Sequence, residues 1–223
     1  MNKFSDVRQA TVESRLDIGF SEEKQAWKTM KAHYDEHNLV INGHPVMEDW
    51  EDQYMRDLAL IACSKGGCVV EVGFGMGISA KYIQDQNISK HIIVEANHEV
   101  YLKLLEFSKQ HPKVVPLYGF WEEVLPLLAE GSIDGVLFDT YPLCEEEIHT
   151  NHFPFFKEAE RLLKKGGVLT YYSDEIDSFS DEHIHCLADA GFKNVDCRVC
   201  PVNPPADCQY WKSKQILSPI IIK

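Results

Sequence analysis

The chain has 223 residues, enough for one sizeable hydrophobic core and short for two, so a single domain with an appended segment is the first expectation. A formal net charge of −13, with the acids spread along the chain, disfavours a nucleic-acid partner and suits a cationic or amphoteric small molecule. The opening MNKFSDVRQATVESR has no apolar signal segment, no run reaches membrane-spanning length, and the seven cysteines show no disulfide-like spacing; a cytoplasmic protein without a membrane partner is expected.

From residue 20 to about 62 apolar residues recur three and four apart, in EEKQAWKTMKAHY and again in MEDWEDQYMRDLALIA, which predicts helices joined by a turn at NGHP. Residues 1–62 are read as an N-terminal helical lid and residues 63–223 as the core. From residue 68 the texture changes. CVVEVGFG predicts a strand running into a glycine turn, HIIVEAN a second strand ending in acid, VVPLYG a third and IDGVLFDTYP a fourth. KEAERLLKKGG then leads into a fifth, VLTYY. Short apolar strands alternating with helices predict an α/β fold with a mostly parallel sheet covered on both faces. FKNVDCRVC, CQYWKSKQI and SPIIIK predict two or three closing strands, one pair of them antiparallel.

The glycine turn EVGFGMG follows a strand and opens a helix, where backbone can approach a ligand and the helix start favours an anion. Glu95 lies roughly 20 residues beyond, where a carboxylate can take both hydroxyls of a ribose. The pair suits a nicotinamide cofactor and S-adenosylmethionine alike. A third glycine of the nicotinamide pattern would fall at Ile78, however, and E-x-G-x-G-x-G is instead similar to class I methyltransferases that use S-adenosylmethionine (Rossmann-like, with a seven-stranded sheet).

The fourth strand ends in Asp139-Thr140-Tyr141-Pro142, and a carboxylate at the end of a core strand either has a cationic partner or sits at a ligand site. NPPA, at 203–206, lies too near the C-terminus and lacks the aromatic of an amide-methylating motif. A carboxylate at the transfer point suits an acceptor that arrives as a cation and loses a proton. A guanidinium is such a group, and its flat fork is well held by two carboxylates. Glu51 is the candidate for the second, with Met47 and Met55 near it to form an apolar wall.

GHPVMEDWEDQYM, SKGGCVVEVGFGMGIS, VLFDTYPLCEEEIHTNHF and RLLKKGGVLTYY, in that order, resemble the guanidinoacetate N-methyltransferase family and its relatives, the catalytic parts of fungal type IV arginine δ-N-methyltransferases. The likeness runs from about Trp27 to the C-terminus, where PPADCQYW resembles the family's last hairpin. It implies that Phe74, Gly75, Met76, Gly77, Ile78 and Ser79 hold the methionine end of S-adenosylmethionine and that Glu95, Ala96 and Asn97 hold its ribose. It sets Trp121 and Glu122 beside the adenine. Trp27, Met47 and Met55 become the lid over the methyl group, with Tyr141 beside the acceptor. Glu51 and Asp139 become the acids that grip the guanidinium, Asp139 also accepting the released proton. The acceptor implied is a small guanidino compound, guanidinoacetate or free L-arginine, without metal.

Where the creatine-forming enzymes have Asn-Leu-Thr after the fifth strand, this chain has Ser173-Asp174-Glu175, two acids that suit an α-ammonium group better than a carboxylate. Asp49 replaces a basic residue of the lid motif. Cys197-x-x-Cys200, on a strand, would point its thiols to opposite faces, against a zinc site. A non-catalytic S-adenosylmethionine sensor and a nicotinamide-dependent dehydrogenase are the other readings the pattern admits. The sequence does not separate a monomer from a homodimer.

Overall fold

Valine- and isoleucine-rich runs too short for helices, each closed by glycine or acid, build the centre of the protein. In a computed structural model, which describes residues 12–13, 18–20 and 23–223, these runs become β4 (Gly67–Val72), β5 (Ile88–Glu95), β6 (Val114–Tyr118), β7 (Ile133–Phe138) and β8 (Leu163–Tyr171). With β9 (Asn194–Pro201) and β10 (Gln215–Ile222) they form one seven-stranded sheet of order β6-β5-β4-β7-β8-β10-β9. The first five strands pair in parallel, and β10 runs antiparallel to both β8 and β9. Pro116 sits in β6, an edge strand, where a missing N–H costs least.

The long helices around the sheet are α1 (Asp52–Ala62), α2 (Ile78–Gln84), α3 (His98–Gln110), α5 (Phe156–Leu162) and α6 (Asp181–Ala190); α4 (Trp121–Val124) is a single turn after β6. Two apolar clusters, centred on Leu58, Val69 and Leu137 and on Val70, Phe138 and Leu169, cover opposite faces of the sheet. Alternate residues of one strand, Val69 and Val70, fall in different clusters, as a strand buried on both sides requires. None of the helices among the described residues is long and apolar enough to cross a membrane.

The N-terminal segment departs from the helical expectation. Lys24–Thr29 is a short 3-10 helix, and the next stretch is an antiparallel meander of β1 (Ala32–Tyr34), β2 (Asn38–Ile41) and β3 (His44–Glu48). Leu39 and Ile41 are buried while their neighbours are not, a period of two that overrides the three-and-four spacing read from this region. Asn42 and Gly43, with φ of 49° and 86°, make the tight turn that joins β2 to β3, so NGHP is a hairpin and not a break between helices. The helical expectation holds from Asp52 onward, but α1 packs against α2 and the strands of the main sheet, so the segment over the site ends near Glu51.

Residues 202–214, expected to carry a strand in CQYWKSKQI, are irregular. Pro204 and Pro205 cannot donate to a ladder, and Tyr210 and Trp211 are buried against other elements instead. Asp49, unexplained by the sequence, pairs with exposed His37 of the β1–β2 turn at 2.6 Å.

Candidate active site

The order of the sheet reverses at β4, whose neighbours β5 and β7 lead away in opposite directions, and ligands of such sheets sit beyond the strand ends at that point. Gly73 makes the crevice possible. Its φ is 92°, and a Cβ there would stand 1.9 Å from the Asp139 carbonyl oxygen, so only glycine lets the ends of β4 and β7 come together. The Asp139 N–H donates to the Val72 carbonyl at 2.9 Å, and the Gly73 N–H to that of Val94 at 2.9 Å. Above these ends opens a cleft of about 1340 Å³, its open mouth included, roofed by β2, β3 and Trp27.

Gly75, Glu95, Ala96, Trp121 and Glu122 line one part of the cleft; Trp27, Met47, Glu51, Asp139, Tyr141 and Asp174 line the rest. Glu95 accepts hydrogen bonds from the N–H groups of Phe74 (3.0 Å) and Asn97 (2.7 Å), which locks its carboxylate between the glycine turn and the start of α3. Burial nevertheless raises its pKa. Tyr141 stacks on Trp27 with ring centroids 5.5 Å apart and bonds His44 Nδ1 at 3.0 Å, closing the roof onto the loop after β7. Lys24 and Lys28 reach Glu122 (2.6 Å) and Glu123 (2.8 Å), which lays the first turn of this roof on α4.

Two carboxylates dominate the part of the cleft away from Glu95. Glu51 is 2% exposed; burial, with Asp139 nearby, pushes its carboxyl up to about 8. The Tyr210 hydroxyl and the Glu48 N–H both donate to its Oε1, and they oppose that rise. Asp139 stands half-buried on the cleft wall, and burial, with the charges of Glu71 and Asp174, raises its carboxyl to about 7. Its carboxylate is bonded to no side chain among the described residues. Water-poor surroundings and like charges thus hold both acids poised near neutrality, a state that a bound cation relieves.

Several expected ligand residues lie behind the wall. Phe74 packs on Phe107, Ile78 is buried at the start of α2, and the Ser79 hydroxyl donates to Glu71, itself paired with His91 at 2.9 Å. The Met76 N–H donates to the Met47 sulfur at 3.3 Å, and Gly77 forms the left-handed cap of α2. Met55 is fully buried in α1 and belongs to the core. Two expected residues have their side chains engaged elsewhere. The Asn97 side chain caps α3, accepting from Glu99 and Val100, and donates to the carbonyls of Trp27 (2.9 Å) and Met30 (2.8 Å), so its polar atoms serve the roof and not a ribose. Glu175 is fully buried and turned away, its Oε1 taking the Ser180 N–H at 3.1 Å and facing His183 at 3.3 Å.

Asn97→Ala should therefore lower stability by roughly 2–3 kcal/mol, the sum of a lost cap and stranded buried partners. A lowered urea midpoint with an unchanged slope is the expected measurement.

Tyr210 and Tyr172 are the site residues that sequence reasoning missed. Tyr210 stands 159 residues from Glu51, and only its membership of the PPADCQYW block flagged it. Removing its hydroxyl should strand Glu51: in Tyr210→Phe the acceptor KM at pH 7 should rise about 10-fold or more, the worth of one bond to a charged group, and recover toward pH 9. Steady-state kinetics at the two pH values is the check. Among the described residues no group of three or more His, Cys, Asp or Glu is arranged to hold a metal.

Comparison with known proteins agrees with this geometry. The family model described as guanidinoacetate N-methyltransferase matches residues 18–223. Protein arginine N-methyltransferase 2 of Yarrowia lipolytica is 35% identical over 144 residues, covering 60% of this chain and 30% of that protein. The protein of the same name from Kluyveromyces lactis is 31% identical over 179 residues, covering 75% of this chain and 42% of its own length. The chain thus spans less than half of these curated relatives. Among solved structures, a spermidine synthase in complex with the transition-state analogue AdoDATO superposes with a TM-score of 0.63 at 14% identity, covering 86% of this chain and 72% of that one. TYW2 of M. jannaschii in complex with AdoMet gives 0.58 at 15% identity, covering 87% and 85%. These two likenesses establish the fold, that of class I methyltransferases, and the match over residues 18–223 establishes more: the chain belongs to the guanidinoacetate N-methyltransferase family, whose methyl donor is S-adenosylmethionine.

Proposed function

We propose that this protein transfers the methyl group of S-adenosylmethionine to a guanidino nitrogen of a small molecule, guanidinoacetate or free L-arginine, with Glu51 and Asp139 clamping the guanidinium. The observation that carries the reading is the pair itself: two enclosed carboxylates, raised to about 8 and about 7, on the wall of one cleft. A structural ion pair would have brought its own cation. Here the charges that act on Asp139 are those of other acids, Glu71 and Asp174.

The residues present fit the cofactor. Glu95 offers a fixed carboxylate at the end of β5, and Gly73 and Gly75 keep the turn beside it free of side chains. S-Adenosylmethionine supplies an electrophilic methyl on a sulfonium centre. The protein supplies position and charge. Glu51 and Asp139 hold the guanidinium fork in one plane and draw positive charge from the nitrogen that attacks. As the N–C bond forms, the methyl–sulfur bond would break with its electron pair left on sulfur as a neutral thioether; the attacking nitrogen sheds a proton, and Asp139, poised near neutrality, accepts it. Trp27, Met47 and Tyr141 exclude water from above. All seven thiols are unpaired, in keeping with a reducing compartment, and we place the protein in the cytoplasm.

The test is a product assay: protein, S-adenosylmethionine and equal amounts of guanidinoacetate and L-arginine, with products identified by mass and fragmentation. A methylated guanidino product is expected. Binding of S-adenosylmethionine without methylation of either compound would leave a sensor in place of an enzyme.

A further inference from the structure

Asp174 and Glu175 occupy the turn that follows β8, and the structure separates them: Glu175 is turned into the protein, whereas Asp174 is on the cleft wall. Its placement is over-determined. The Tyr54 hydroxyl accepts the Ser173 N–H at 3.2 Å and donates to the Leu217 carbonyl at 2.7 Å, the Ser173 hydroxyl donates to that same carbonyl at 2.8 Å, and the Leu217 N–H returns to the Glu175 carbonyl at 2.8 Å. Asp174 (φ 53°) and His149 (φ 67°) are both left-handed and meet with Oδ1 and Nδ1 3.2 Å apart. Next to them is a second, independent feature. The Tyr172 hydroxyl oxygen is buried without a hydrogen-bond partner among the described residues, and Tyr172 lines the cleft within the field of Glu51, Asp174 and Asp139. A buried hydroxyl left unsatisfied in the field of three acids is one that a donor-rich ligand completes.

The charge on the wall points the same way. Glu51, Asp139, Asp174 and Glu147 line the acceptor side, and the lysine among the lining residues, Lys24, is engaged with Glu122 on the far side. A guanidinium consumes two of these acids. Asp174 then remains for a second positive group, and a terminal carboxylate on the acceptor would face it with no cationic side chain on the wall to answer.

We propose that Asp174, positioned by His149 and flanked by the Tyr172 hydroxyl, makes the site selective for an acceptor carrying an ammonium group at the end opposite its guanidinium, and against one that ends there in a carboxylate. The proposal rests on the guanidino-methyltransferase reading above and narrows its substrate class to amino-guanidino compounds: agmatine, which ends in an ammonium alone, should rank first, and L-arginine, whose ammonium shares its carbon with a carboxylate, between it and the acceptors that end in a carboxylate alone.

The test compares two acceptors of matched length that differ in terminal charge, agmatine and 5-guanidinopentanoate, together with L-arginine and guanidinoacetate, at saturating S-adenosylmethionine. Wild-type protein should prefer agmatine to 5-guanidinopentanoate in kcat/KM by about 10-fold or more, a modest effect for reversing a charge in an enclosed site. Asp174→Asn should cut that ratio about 5-fold or more, and asparagine tolerates the left-handed backbone, so the turn is kept. Unchanged S-adenosylmethionine affinity, measured by calorimetry, reports that the variant is folded. Transfer to the carboxylate-ended acceptors at equal or better kcat/KM, or a ratio that Asp174→Asn leaves alone, would overturn the selectivity while the guanidino reading stands. Methylation of none of the four by protein that binds S-adenosylmethionine would overturn both.

Discussion

Asp139→Asn should lower turnover by about 10²- to 10⁴-fold, the usual contribution of a positioned proton acceptor, and leave S-adenosylmethionine affinity nearly unchanged. An amide keeps the shape of the side chain and one acceptor oxygen. It cannot take the proton that leaves the guanidino nitrogen, and it removes half of the charge that orients the fork. Cofactor affinity should survive because Glu95 and the glycine turn do not depend on Asp139 for any bond its side chain makes. Glu51→Gln should act in the same direction but more through acceptor KM, since Glu51 is buried behind Tyr210 and has no assigned part in proton transfer. Single-turnover rates at saturating acceptor separate the two effects. A near-normal rate for Asp139→Asn would remove it from the reaction.

Stability should fall as pH rises, and the acids responsible are those of the site. Glu51 goes from the ordinary carboxyl value of 4.5 to about 8 and Asp139 from 3.8 to about 7. A carboxyl with a raised folded-state pKa binds its proton more tightly folded than unfolded. Its stabilisation is complete below about pH 4 and is lost as pH rises toward 7 and 8. Glu95, raised by burial, adds to the same trend. Each unit corresponds to about 1.4 kcal/mol, and after allowance for mutual coupling the pair is worth on the order of a few kcal/mol. Between pH 5 and pH 8 the melting temperature of the ligand-free protein should therefore drop by roughly 5 °C or more, a typical response at this chain length. Asp139→Asn should flatten that slope and melt higher than wild type at pH 8. Scanning calorimetry of both proteins tests it, and parallel slopes would show that the pair is not strained by its own charge.

The main sheet was legible because each of its parallel strands is an apolar run closed by a residue with a reason to be there: Gly73 after β4, Glu95 ending β5, Asp139 after β7. Local chemistry names such positions without knowledge of the tertiary fold. The roof is not legible in the sequence because Ala32–Glu48 holds its apolar residues in a pattern that serves two periods, and the Asn42-Gly43 turn, which decides between them, serves equally to join two helices or two strands. Side-chain direction was the other failure. Asp174 and Glu175 are adjacent acids in one turn, and the bond from the Ser180 N–H and the nearby His183 that draw Glu175 inward come from an element whose approach is not written in the turn. Asn97 is at once the end of the expected cofactor run and an ideal helix cap, and the cap, with the carbonyls of Trp27 and Met30, takes its side chain. Tyr210 lay beyond reach because its value depends on Glu51, far away in the chain.

The claim that a cation completes the Glu51–Asp139 pair is tested most directly by counting protons when the acceptor binds. The protein, saturated with S-adenosylhomocysteine so that nothing turns over, is titrated with L-arginine and with guanidinoacetate at pH 7 in two buffers of different ionisation heat. With carboxyls at about 8 and about 7, the free site holds at least one proton at that pH. Guanidinium binding should expel about one proton per acceptor, with affinity rising from pH 6 to pH 8 and the release diminished in Asp139→Asn. Binding without proton release, at an affinity flat across that range, would mean that the guanidinium does not sit between these two carboxylates.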